Sequence, residues 1–267
     1  MDFSREELWE LDRKIGPYPC CSVVQGDCLE LMKALPDGCV DAVITSPPYN
    51  QLSSLLSEPS GMWGRTGSGR GFVENWQRMG YADDVPEEQY QQEQIAVFSE
   101  ASRITRQSGS LFYNHQVRWR DGLLLHPVEW FKPRGWTLRQ EIIWDRRGGM
   151  MFNARMFCRF DERILWFVRS PKWIWNQAYV GEGTIWPIPH EQEKEHPVAY
   201  PEQLPHICIG ATTDECAVVL DNYCGSGTTL VAAKKLGRHF LGFEISGEYC
   251  RIARDRLARI DAQPSLF

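Results

Sequence analysis

Two stretches of the chain carry residue types and spacings suited to chemistry. The first is Thr45-Ser46-Pro47-Pro48-Tyr49-Asn50, which follows the apolar run Val40–Ile44. Pro47 and Pro48 have fixed φ and no N–H to donate, so the chain after Ile44 is stiff and must leave a central sheet. A hydroxyl and an aromatic ring on so rigid a segment could grip a planar, amine-bearing group. Taken alone, the hexapeptide reads equally well as a turn punctuated by two prolines. The second stretch is Asp221-Asn222-Tyr223-Cys224-Gly225-Ser226-Gly227-Thr228-Thr229. Gly225 and Gly227 let backbone approach a ligand closely, and the helix expected after them offers free N–H groups at its start. Glu244 closes the next strand, where a carboxylate can accept both hydroxyls of a ribose. No Gly-Lys-Ser/Thr follows the turn, and Leu230 holds the third glycine position of the dinucleotide fingerprint. Asp221 and the bulky Tyr223 also suit a bare pyrophosphate poorly. A nucleoside with a smaller polar tail fits better.

These stretches need strands and helices to hold them. A short helix is expected over residues 3–15, a strand over 21–27, a helix over 28–35 and a strand over 40–44. That spacing is a parallel α/β unit. Further helices are expected over 87–106 and 122–132, with a strand at 109–114 between them. Strands 138–144 and 164–168 are expected to pair antiparallel at the sheet edge. A helix over 197–209, a strand over 215–221, a helix to Leu236, a strand over 240–245 and a helix over 247–260 complete the chain. Residues 51–85, rich in Ser and Gly and carrying Arg65 and Arg70, form a long loop that could close over a ligand as a lid. Residues 170–195 are expected to be irregular, with Pro187 and Pro189 stopping any regular element.

With both motifs and their order in view, the chain resembles the β-class amino-group DNA methyltransferases, over roughly residues 21–50, 86–170 and 195–260. In these enzymes the catalytic segment comes first and the S-adenosylmethionine (SAM) loop lies near the C-terminus, a circularly permuted motif order. The resemblance implies an α/β, Rossmann-like SAM-dependent methyltransferase fold in one domain, 1–267, with a mostly parallel seven-stranded sheet and an antiparallel edge strand. It implies a SAM site made by Asp27, Thr45, His196, Pro197, Asp221, Tyr223, Gly225, Ser226, Gly227, Thr228 and Glu244. It further implies that the Ser46 side chain and the Pro47 carbonyl accept the two amine protons, that Pro48 helps hold that carbonyl still, and that Tyr49 stacks on a flipped-out base. In this family a serine at the first motif position accompanies cytosine N4 methylation and an acid or Asn accompanies adenine N6, so Ser46 favours cytosine.

Charge distribution agrees with an anionic partner. The net charge is −6, yet arginines crowd the middle of the chain from Arg103 to Arg169, which suits a confined polyanion better than a diffuse one. Arg65, Arg70, Arg146, Arg147, Arg155, Arg159, Trp173 and Trp175 are the candidates for duplex DNA contacts, with 170–195 as a small target-recognition insertion. Other expectations follow from composition. Hydrophobic residues make up 43% and charged residues 24%, ordinary globular values. No stretch reaches the roughly 18 apolar residues of a membrane span, and the polar, acidic start is no secretory signal. The nine scattered cysteines suit reduced thiols in the cytoplasm, and the six histidines lack metal-ligand spacing, so no metal is expected. A monomer or homodimer and a restriction endonuclease encoded elsewhere are compatible with this reading. A protein or RNA amino-group methyltransferase, an inactive SAM-responsive DNA-binding module and a dehydrogenase are the alternatives.

Overall fold

The computed structural model describes residues 14–51, 85–120, 122–148, 157–179, 181, 183–190 and 199–261. The expected lid (almost all of 51–85), the N-terminal part of the first expected helix, and Arg65, Arg70, Arg155, His196 and Pro197 lie outside them.

Eight strands form the central sheet: β1 (Ser22–Gln25), β2 (Val40–Thr45), β3 (Thr105–His115), β4 (Thr137–Asp145), β5 (Asp161–Val168), β6 (Ile185–Pro187), β7 (Val218–Asp221) and β8 (His239–Glu244). Their spatial order is β6-β4-β5-β3-β2-β7-β8-β1. Only β5 runs antiparallel to its neighbours β3 and β4; the other adjacent pairs are parallel. The sheet is therefore mostly parallel as expected, but one strand larger, and its antiparallel strand lies inside the sheet. The added edge strand is β6, in the stretch expected to be irregular. Pro187 does not prevent pairing there, because an edge strand needs hydrogen bonds on one side only.

Six helices cover the two faces among the described residues: α1 (Cys28–Lys33), α2 (Glu87–Ile104), the single turn α3 (Pro127–Trp130), α4 (Gln203–Thr212), α5 (Thr228–Lys235) and α6 (Gly247–Asp261). Strand β2 is buried at every position, as a central strand covered on both faces must be. Its alternate residues divide the core. Ala42 and Ile44 join Phe112, Ile164 and Trp166 beneath α4, α5 and α6, while Val43 joins Leu111, Tyr113 and Leu165 beneath α1 and α2. The helix expected over 122–132 is instead a hairpin, 118–120 with 123–125, followed by α3. Gly122, at φ +77°, makes the turn, and Pro127 can open a helix but not occupy its interior. Lys14–Ile15 pair with Tyr18–Pro19 as a short ladder.

From β2 the chain proceeds to β3 on one side, and from β7 to β8 on the other. The carboxyl ends of β2 and β7 thus flank the point where the winding reverses, and open α/β sheets bind ligands in that crevice. The Pro-Pro segment and the glycine turn leave the sheet there.

Candidate active site

Parallel pairing of Val43 with Leu220 brings the two motifs together. Thr45 donates its hydroxyl to Asp221 Oδ1 at 2.7 Å. Thr229, at the start of α5, donates to Asp221 Oδ2 at 2.6 Å, and Tyr200 donates to the same oxygen at 3.3 Å. The Tyr223 backbone N–H adds a fourth donor, at 3.1 Å to Oδ1. Burial raises the Asp221 carboxyl above its usual range against the lowering pull of these hydrogen bonds. One carboxylate therefore ties the Ser46 segment to the glycine turn.

On the donor-site side, Glu244 accepts the Gly225 N–H at 2.9 Å and the Ser246 N–H at 2.8 Å, one on each oxygen. Asp27 caps α1 through the Glu30 N–H at 3.0 Å, and Gly26 N–H reaches the Glu244 carbonyl at 2.9 Å, which places Asp27 beside Glu244. Gly227 has φ +83°, and a Cβ there would lie 2.9 Å from Ala253 Cβ. Both polar atoms of the Asn222 side chain are buried without a hydrogen-bond partner, as expected where a polar ligand completes a site. The other expected contacts are engaged differently. Ser226 and Thr228 accept from Arg256 of α6, at 2.8 and 3.2 Å to their hydroxyls. The Tyr223 ring turns toward α2, where its hydroxyl accepts from Gln94 at 3.3 Å. These three side chains brace the turn.

Around Ser46 the structure supplies residues that the motif did not point to. Tyr49 donates its hydroxyl to Glu162 Oε2 at 2.9 Å, so the Ser46 Oγ–Tyr49 hydroxyl contact of 2.7 Å is donated by Ser46. Asn114 Nδ2 reaches Ser46 Oγ, the Tyr49 hydroxyl and Glu162 Oε2 at 3.3, 2.8 and 2.9 Å. Glu162 Oε1 accepts from Gln116 at 2.9 Å and Arg146 at 3.0 Å. Burial, followed by the Glu162 charge, pushes the Tyr49 phenol well above its usual value. It stays protonated and donating. A carboxylate can only accept, and that fixes the direction of the chain: Ser46 spends its proton on Tyr49, takes Asn114 on one lone pair and has one lone pair left to accept a further donor.

The proline segment is pinned from behind. Tyr90 of α2 donates to the Pro48 carbonyl at 2.7 Å and lies 2.8 Å from His115 Nε2. Arg118, whose side chain is 3% exposed, pairs with Glu87 and lies 4.8 Å from the Tyr90 ring centroid. Burial and then the Arg118 charge hold His115 well below its usual value, hence neutral. The His115 ring lies 4.7 Å from the Tyr49 ring, centroid to centroid. Asn50, at φ +56°, clamps Val85 by two hydrogen bonds of 2.9 Å, so both ends of the 51–85 segment start from the site.

Of the expected DNA contacts, Arg146 and Arg159 serve the Glu162 cluster, Arg159 through Gln116 at 2.7 Å. Arg147 points outward, its side chain 59% exposed. Trp173 and Trp175 are elsewhere. Ile174 N–H bonds the Ser108 carbonyl, six residues before Asn114 on β3, or about 20 Å along the strand. Both rings pack on Trp166, and Arg139 lies over Trp173.

A family model described as DNA methylase (N6_N4_Mtase) matches residues 40–255. The chain belongs to this DNA methylase family. It is 27% identical to the Type II methyltransferase M.BglII of Bacillus subtilis over 86% of this chain and 67% of that protein. It is 25% identical to the Type II methyltransferase M.HinfI of Haemophilus influenzae over 91% of this chain and 70% of that one. Among solved structures, the PvuII DNA methyltransferase (cytosine-N4-specific) superposes with a TM-score of 0.67 at 16% identity, over 92% of this chain and 87% of that one. A Thermus thermophilus protein described as a DNA modification methylase, complexed with S-adenosyl-L-methionine, gives 0.63 at 24% identity, over 89% and 93%. The likeness to these two confirms the Rossmann-like methyltransferase fold. No described helix of this DNA methylase is long and apolar enough to cross a membrane.

Proposed function

We propose that this DNA methylase transfers a methyl group from SAM to the exocyclic amino group of a flipped-out base in duplex DNA, and that the base is cytosine, modified at N4. The observation that carries the reading is the Thr45–Asp221 hydrogen bond, which sets an amine-gripping segment beside a nucleoside-type turn. SAM supplies the electrophilic methyl when bound. Gly225, Gly227, Asn222 and Glu244 would hold it, with Asp221 fixing the turn through its four donors and Asp27 near the adenine.

The chain's own contribution is orientation. An exocyclic amine is a poor nucleophile because its lone pair is delocalised into the ring. Ser46 Oγ, its own proton committed to Tyr49, accepts one amine proton, and the Pro47 carbonyl accepts the other. Both acceptors are fixed, by Glu162 and Asn114 on one side and by Tyr90 behind Pro48. Fixed acceptors localise the lone pair and aim it, so geometry rather than a strong base lowers the barrier. Tyr49 stacks on the extruded base, returning about 1–3 kcal/mol of the few kcal/mol that unstacking costs. Arg147, beside the cluster and exposed, is the described residue best placed for a phosphate; Arg65, Arg70 and Arg155 remain candidates. Since M.BglII and M.HinfI are Type II methyltransferases, a restriction endonuclease partner fits the same role.

Expression in a host without DNA methylation, followed by sequencing that reads modified bases, tests the proposal. Methylated cytosine at one short motif supports it. Methylated adenine at such a motif would move the target to N6, and an unmodified genome would refute methylation of DNA.

A further inference from the structure

At the amino end of β8, away from the methyl-transfer site, three side chains meet that lie far apart in the chain. Cys20 and Cys21 close the turn before β1, and His239 opens β8. Cys20 Sγ lies 3.4 Å from His239 Nδ1, Cys21 Sγ lies 3.6 Å from the same nitrogen, and the two sulfurs are 3.5 Å apart. Adjacent side chains of an extended strand point to opposite faces. Cys21 has φ +57°, which brings both thiols to one side, and its N–H is anchored on the Phe240 carbonyl at 3.0 Å. Both cysteines are free thiols, their sulfurs well beyond the roughly 2.05 Å of a disulfide.

We propose that Cys20, Cys21 and His239 form a three-ligand site for a borderline-soft divalent cation of the zinc class, with the fourth position open to solvent. Metal–sulfur and metal–nitrogen bonds of about 2.3 and 2.0–2.1 Å in a tetrahedron set ligand–ligand edges of about 3.8 Å between sulfurs and about 3.6 Å between sulfur and nitrogen. The three observed separations each fall within about 0.3 Å of those edges, so the donor atoms already outline one face of the tetrahedron. Two thiolates and an imidazole select zinc-class ions over magnesium or calcium, which take oxygen ligands. Cys21 is exposed, and Cys20 and His239 are half-buried, so an ion can enter without the fold opening. Glu244 lies five residues further along β8, about 17 Å away, so the ion would take no part in methyl transfer. Its effect is to clip the turn before edge strand β1 onto β8.

Chain spacing gave no hint of this group, because 218 and 219 residues separate the histidine from the two cysteines. A hydrogen-bonded thiol–imidazole cluster would show similar separations, and metal titration distinguishes the two. The full-length protein, stripped with a chelator and kept reduced by a phosphine, is titrated with Co²⁺. One equivalent should bind with sulfur-to-cobalt charge-transfer absorption and be displaced by Zn²⁺. Cys21→Ser and His239→Ala should each weaken binding by more than the roughly 10–100-fold that outer-shell changes cost, whereas Cys216→Ser, at an exposed cysteine elsewhere, should leave it unchanged. Absence of the charge-transfer band, or its survival in both site variants, would overturn the site. Should a variant fail to fold, the His239 ring resonances of the unaltered protein decide: a shift on adding Zn²⁺ supports the site, and unmoved resonances overturn it.

Discussion

Replacing Glu162 by Gln is the most informative single change at the methyl-transfer site. The carboxylate takes two donors on each oxygen: Gln116 and Arg146 on Oε1, Tyr49 and Asn114 on Oε2. Glutamine keeps the shape but has only one accepting oxygen. The guanidinium of Arg146 binds that oxygen more strongly than neutral donors do, so the amide NH₂ turns toward Tyr49. The Tyr49 proton then has no acceptor except Ser46, and the Ser46 lone pair that should meet the amine becomes occupied. A hydrogen bond to a charged group is worth about 1.5–3 kcal/mol, which at 1.36 kcal/mol per decade is roughly a 10–100-fold loss in kcat. Asp221 and Glu244 are untouched, so KM and Kd for SAM should hold. Steady-state kinetics with saturating duplex, SAM binding by calorimetry and a thermal melt separate the effects. Tyr49→Phe breaks the same chain of hydrogen bonds, so the double variant should lose little beyond the worse single one. A Glu162→Gln enzyme within twofold of the original kcat, or one that only raises KM for SAM, would show that Glu162 does not set the direction of the Ser46–Tyr49 hydrogen bond.

Tyr49→Ala should spare SAM binding and cut turnover, because it removes both the stacking ring and the donor to Glu162; calorimetry alongside methyl-transfer rates checks it. Gly227→Ala forces a side chain into φ +83° and to 2.9 Å from Ala253 Cβ, and should cost about 2–5 kcal/mol from left-handed strain and overpacking together, measured by urea denaturation. His115 stays neutral in the fold while the unfolded chain takes up a proton below about pH 6.5. Its contribution to stability is therefore complete above pH 6.5 and lost at up to about 1.4 kcal/mol per pH unit below it. His115→Gln should flatten the decline of Tm between pH 6.5 and 5.5, and an unchanged slope would contradict the assignment.

What the sequence revealed was local. Pro47-Pro48 and the Gly225–Gly227 turn announce themselves because fixed or left-handed φ is a property of single residues, and Asp221 and Glu244 follow as the last residues of apolar strands. Glu162 could not be found that way. It lies 113 residues from Tyr49 and 48 from Asn114, and only the register of β5 against β3 joins them. Tyr90 was hidden in a like way, 42 residues from the Pro48 carbonyl that it holds. A pattern of alternate polar residues at the ends of apolar strands, Asn114 on β3 and Glu162 on β5, is the one signal that could have found part of the cluster. Trp173 and Trp175 show the reverse limit, since residue type does not reveal that both rings pack on Trp166. In the same way, composition favoured loop over 170–195, where an edge strand tolerates its proline.

The proposed mechanism requires Ser46, its own proton held by Tyr49, to accept an N–H of the target amine while the glycine turn beside it presents the methyl donor. Labelled methyl transfer from SAM to duplex DNA, followed by digestion to nucleosides, tests it most directly when run on the unaltered protein and on Ser46→Ala. Label recovered in N4-methylcytosine, and lost in Ser46→Ala while SAM binding persists, is the expected result. Label in a ring-carbon methyl group, or transfer undiminished by Ser46→Ala, would contradict it.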